Sequence, residues 1–148
     1  ASIGHGMTVC CANAATRPDQ RELATALMSA VGEVAWVEDE GLMNAVTAVS
    51  GSGPAYVFHL AECMAAAGVA VGLDAELAAK LARTTVAGAG ALLEQSGLSA
   101  EQLRCNVTSP GGTTAAALDV LMAEGSMKRL VDRAIAAAHA RGHELSGT

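Results

Sequence analysis

The hydrophobic pattern of the chain changes style near residue 38. Ahead of that point "MTVCCA" (7–12) is a short, continuous apolar run bounded by Gly6 and Asn13, which predicts a buried strand. "RPDQRELATALMSAVG" then predicts a helix, with Pro18 at its start, Leu23, Ala26, Leu27 and Ala30 on one face, and Gly32 as its stop. "EVAWV" (33–37) predicts a second strand, so residues 1–37 read as strand, helix, strand, the tail of an α/β unit.

From Glu38 onward the pattern is helical throughout. Acidic "EDE" (38–40) suits a helix N-terminus, and "EGLMNAVTAVS" predicts a helix ending at "GSG". A long helix begins at Pro54 and closes at Gly72, another runs from an Asp74 cap to about Gly97, and Ser99 caps a short one. After "SPGG" come two more helices, the first capped by Thr113 or Thr114, the second capped by Ser126 and stopped by Gly142. Gly41, Gly88 and Gly90 fall inside helical pattern, and close helix-to-helix contact is the expected reason. The fold class is therefore mainly α, with a boundary near residue 37 or 38. A two-stranded ribbon is marginal by itself, so it either pairs with strands of another chain or is the end of a larger sheet. The start, "ASIGHGMTVCCAN" with no initiator Met, also reads as the middle of a longer chain.

Composition adds three restrictions. Of the 148 residues 51% are hydrophobic but only 2% aromatic, and alanine supplies 33, so the apolar content is small side chains that let helices approach closely and leave a thin interior. Oligomerisation is the expected remedy. A net charge of −6, with nine Lys and Arg scattered singly, gives no basic stripe for nucleic acid. No run of eighteen apolar residues and no signal-peptide pattern occurs, and the four cysteines (10, 11, 63, 105) lack zinc or disulfide spacing, so a soluble cytoplasmic protein with reduced thiols is expected.

No P-loop, G-x-G-x-x-G, H-E-x-x-H or G-x-S-x-G occurs. His59 and Cys63 share a helix face, but no third orienting group is evident. His139 and His143 are also four apart, yet Gly142 is expected to end the helix between them and no carboxylate or cysteine completes a set, so no metal is expected. Two stretches remain. "SGSGPAY" (50–56) is either an anion-facing helix start or a tight corner needing glycine for clearance. "NVTSPGGTTAAAL" (106–118) is either a connecting turn or a carboxylate or phosphate nest built from the amides of Gly112, Thr113 and Thr114, with hydroxyls from Ser109 and both threonines.

Taken together, "GMTVCCAN", "LMSAVGEVAWVEDEGLMNAVTAVSGSGPAYVF" and "VTSPGGTTAAALDVL" resemble the C-terminal part of Δ1-pyrroline-5-carboxylate reductases, from Gly6 to about Leu145. The resemblance implies that 1–37 end a Rossmann dinucleotide-binding domain. Residues 38–148 would form a helical dimerisation and substrate domain whose long antiparallel helices intertwine with a second copy, as a homodimer or an oligomer of dimers. It implies NADPH- or NADH-dependent reduction of the C=N bond of pyrroline-5-carboxylate to L-proline. It implies that Ser109, Gly111, Gly112 and Thr113 hold the substrate carboxylate, that Thr114 stands by the ring nitrogen as the catalytic position, that Glu40 joins the substrate site, and that Asn106 reaches the cofactor. The chain alone would be inactive. It departs from many relatives at Gly97, where they carry Glu, and at Thr113, where some carry Ala. The competing expectation is a non-catalytic helical dimer module that binds a small carboxylate.

Overall fold

A short apolar run, Gly6–Cys11, forms β1, and Gly32–Val37 form β2 parallel to it, in register from Gly6 opposite Gly32 to Cys11 opposite Val37. The computed structural model describes residues 3–147. Parallel neighbours need a crossover, and α1 (Pro18–Met28) supplies it, begun by Pro18 and by the Arg17 N–H donating to Gln20 Oε1 (2.9 Å). A 3₁₀ turn, Ser29–Val31, leads into Gly32, where any Cβ would collide with the Gly6 backbone.

The face that α1 turns inward differs from the expected one. Leu23 and Leu27 are each 61% exposed. Arg21, Ala24 and Thr25 are half-buried instead, because the single tryptophan organises this contact. Trp36 Nε1–H donates to Thr25 Oγ1 (3.0 Å), and the Arg21 guanidinium lies 4.5 Å from the Trp36 ring while reaching Glu38 Oε1 (3.2 Å). A partly buried indole needs an acceptor, and Leu23 offers none.

Asp39 opens the helical part by accepting the Gly41 N–H (2.8 Å). That hydrogen bond, rather than helix contact, accounts for Gly41, whose Cβ would stand 3.1 Å from Asp39 Oδ1. A 3₁₀ turn (Glu40–Leu42), α2 (Met43–Val46) and a π-turn (Thr47–Gly51) follow without a break, and Ala48 is buried. These residues form one compact unit, 1–52 together with 135–148, the latter being the C-terminal end of α7 (Ser126–Ser146). Gly142 does not stop α7. It sits mid-helix against Asn44, whose Oδ1 would lie 2.8 Å from a Cβ there, so the missing side chain provides clearance between helices.

Residues 53–134 form the second unit. Here α3 (Gly53–Ala70) and α4 (Ala75–Gln95) pack on each other across a four-residue connection, closed by Asp74 accepting the Leu77 N–H (2.9 Å). Their close approach is at Gly68, where a Cβ would stand 3.2 Å from that of Ala78, and Ala78 and Ala82 are buried. Gly88 and Gly90 have nothing within 4 Å of a Cβ, so among the described residues they mark no helix contact. Gly97, at φ +66°, follows the end of α4 in the left-handed region that favours glycine. Ser99 and Gln102 then form a reciprocal cap for α5 (Ala100–Asn106). After α6 (Thr113–Met122) and a 3₁₀ turn (Ala123–Gly125), Ser126 is the first residue of α7 rather than its cap. Its Oγ donates to the Val120 and Leu121 carbonyls, closing the end of α6.

Candidate functional site

The junction of α5 and α6 is built by its own backbone. Thr108 closes α5, its Oγ1 donating to the Arg104 carbonyl (2.6 Å) and its N–H to that of Cys105 (3.0 Å), which leaves Asn106 exposed on the last turn. Ser109 to Gly112 form a β-turn closed by the Gly112 N–H donating to the Ser109 carbonyl (3.1 Å). Pro110 occupies the position that wants a fixed φ, and Gly111, at φ +68°, the one that rejects side chains. Gly112 has ordinary extended angles, −79° and 171°. It is glycine for space, since a Cβ would meet Ser109 Oγ at 2.8 Å and the Ser109 carbonyl at 3.2 Å.

Gly112 is also the residue that caps α6. Neither threonine caps, contrary to expectation, because the turn delivers Gly112 in the extended conformation and makes Thr113 the first helical residue. The open amides shift by one position in consequence. The Gly112 N–H is engaged in the turn and Ala116 N–H already reaches the Gly112 carbonyl (3.2 Å), so the free donors belong to Thr113, Thr114 and Ala115. Three N–H groups at the positive end of a ten-residue helix form an anion cradle without a cationic side chain. Residues 105–127 contain no Lys or Arg. Thr114 is half-buried and Ser109, Gly111 and Thr113 are exposed, so the cradle is open on one side.

The other glycine corner is built differently. The π-turn carries the helix through Gly51, the Ser52 N–H donates to the Thr47 carbonyl (2.8 Å), and α3 begins at Gly53. Clearance is not its purpose either: a Cβ at Gly51 would make ordinary contact with Thr47 (3.4 Å) and one at Gly53 none within 4 Å.

Glu40 belongs to the first unit. It lines a cleft of about 280 Å³ with Cys11, Ala12, Asn13, Thr16 and Glu38. This cleft lies beyond the carboxyl ends of the two parallel strands, where open α/β sheets place their ligands. Sequence reasoning passed over Asn13, whose Oδ1 accepts from Ala15 N–H (3.0 Å) and Thr16 Oγ1 (2.9 Å) and so fixes the turn; an Asn directly after a strand was the available signal. The structure thus gathers Asn106, Ser109, Gly111, Gly112, Thr113 and Thr114 at one junction and sets Glu40 in the other unit.

His59 does have a third group: Glu62 Oε2 lies 3.0 Å from Nδ1, while Cys63 Sγ is 3.6 Å from Nε2. All three are exposed on α3. Among the described residues no three His, Cys, Asp or Glu are grouped to hold a metal, and no helix is long and apolar enough to cross a membrane.

Residues 40–145 match the family model described as pyrroline-5-carboxylate reductase dimerisation. The chain belongs to that family. It is 46% identical over 145 residues to a pyrroline-5-carboxylate reductase of Synechocystis, covering 98% of this chain and 54% of that protein. The corresponding values for a Mycobacterium tuberculosis protein of the same name are 44% over 162 residues, 98% and 54%. Among solved structures, a pyrroline-5-carboxylate reductase from Coxiella burnetii superposes with a TM-score of 0.91 at 42% identity, over 97% of this chain and 53% of that one. A Plasmodium falciparum pyrroline carboxylate reductase with NADP bound gives 0.80 at 32%, over 95% and 56%. The chain spans about half the length of the relatives it matches.

Proposed function

We propose that the chain is the substrate-holding and dimerising part of a cytoplasmic pyrroline-5-carboxylate reductase. The observation that carries this reading is the cradle of three free amides at Thr113, Thr114 and Ala115 in a member of this family. Each amide donates to the substrate carboxylate, and charge-assisted bonds of this kind are worth roughly 1.5–3 kcal/mol apiece. With the carboxylate fixed, the five-membered ring is oriented by its own geometry, and the half-buried Thr114 hydroxyl stands beside the ring nitrogen. Holding that nitrogen protonated makes the imine carbon a better hydride acceptor. Ser109 and the Thr113 backbone complete the cradle, Glu40 contributes to the substrate site, and Asn106 contacts the cofactor.

The cofactor, NADPH or NADH, supplies the hydride. Among the described residues, the turn after β1 is not built to grip its pyrophosphate. The turn after β1, Ala12 to Arg17, has no glycine for close backbone approach, and its amides at Ala15 and Thr16 are engaged by Asn13. Residues 1–37 are accordingly the end of a Rossmann domain, and 38–148 the dimerisation domain.

A second copy of the chain completes the interior. α3 is apolar on nearly every side, yet Val57, Phe58 and Val69 are exposed, as are Leu77, Leu81 and Leu92 of α4. A helix that is hydrophobic all round belongs in an interior, and one hairpin cannot provide it.

Grafted behind the N-terminal half of the Synechocystis relative, the chain should reduce pyrroline-5-carboxylate with NADPH; alone it should not. A chimera that folds, dimerises and binds NADPH yet leaves the imine untouched would refute the reading.

A further inference from the structure

The unbroken course of α7 through Gly142 brings together two imidazoles that a helix stop would have separated. His143 Nε2 lies 3.2 Å from His139 Nε2, with the rings edge to face at 87°. Asn44 Nδ2 lies 3.3 Å from His143 Nδ1, on the opposite side of that ring. Both histidines are half-buried, within the same compact unit as Asn44. The reductase reading uses none of these three side chains.

We propose that His139 and His143 form a chelating site for a late first-row divalent ion, Zn²⁺, Ni²⁺ or Cu²⁺, completed by water. Two imidazole nitrogens bound to one ion at about 2.0–2.1 Å stand roughly 2.9 Å apart at a right angle and roughly 3.4 Å apart at the tetrahedral angle. The observed 3.2 Å falls inside that range. The ion replaces the single proton that joins the two nitrogens, so small ring rotations suffice. Imidazole donors select this class of metal over Mg²⁺ and Ca²⁺, which take oxygen.

The outer shell is present as well. A histidine bound through Nε2 must pass its Nδ1 proton to an acceptor, and a half-turn of the Asn44 amide presents Oδ1 to His143 Nδ1. Gly142 leaves the room for it, having no Cβ to oppose either amide orientation. An ion held here fixes the last two turns of α7 to α2, the helix entered directly after Glu40.

The test is a Zn²⁺ titration of the intact chain, followed through the side-chain ¹⁵N resonances of its four histidines. The Nε2 signals of His139 and His143 should move together and saturate at one equivalent, with a rise in Tm. H143Q should abolish the response at His139, H139Q that at His143, and N44A should weaken binding about tenfold with both ligands retained. Mg²⁺ should do nothing. Unmoved signals at both positions would overturn the site, as would a response confined to His59, or a His139 response that survives H143Q. None of these outcomes bears on the reductase reading, which is decided by turnover of the chimera.

Discussion

Two glycine-rich corners, "SGSGP" and "SPGGT", lead into helices and look interchangeable in sequence, yet the first continues a π-turn and the second opens from a β-turn. What separates them is the backbone that arrives. At Gly51 the chain is already helical, and the Ser52 amide finds the Thr47 carbonyl behind it. At Gly112 it arrives from a turn fixed by Pro110 and Gly111, and the first three amides of α6 find none. A glycine-rich helix start is an anion site only where the preceding residues are not themselves helical.

The comparison is most vulnerable at Gly112. Gly112→Val in the chimera should raise KM for pyrroline-5-carboxylate about a hundredfold or more, the loss of at least two charge-assisted bonds, with dimerisation intact by sedimentation. The effect is steric, from the collision with Ser109, since the Gly112 angles suit any residue. An unchanged KM would move the cradle elsewhere. Next in size is a helical glycine that does have a neighbour. Gly142→Val should cost about 1–3 kcal/mol in thermal unfolding as Asn44 is displaced, leaving KM alone. Ser109→Ala should raise KM about tenfold, the loss of one hydrogen bond to a charged acceptor. Smallest is Gly53→Ala, expected within about 0.5 kcal/mol of the parent stability and with unchanged KM, because nothing lies near the added methyl. If Gly53→Ala instead matched Gly112→Val, the distinction between the corners would collapse.

Local chemistry was legible in the sequence wherever it acts alone. Pro18, Asp74, Ser99 and Gly72 mark their helix ends because each works within a turn of itself. What stayed hidden depends on a distant partner. The inward face of α1 is chosen by Trp36, which needs Thr25 as an acceptor, against the apolar ridge of Leu23 and Leu27. Gly142 looks like a stop until Asn44 is beside it, and with that error the histidine pair was lost too. At the candidate site the structure shifts the expected backbone roles: the threonines do not cap, and Ala115 replaces Gly112 among the free donors. One extended residue at the end of a turn moves that register, and composition carries no record of it.

The most direct measurement is a ¹H–¹⁵N correlation titration of the chain with L-proline, whose carboxylate matches that of the imine. The amide peaks of Thr113, Thr114 and Ala115 should shift downfield together and saturate, while those of Gly51, Ser52 and Gly53 stay in place. Saturating shifts at the Gly51 corner with a silent α6 N-terminus would contradict the account, and so would no response at either.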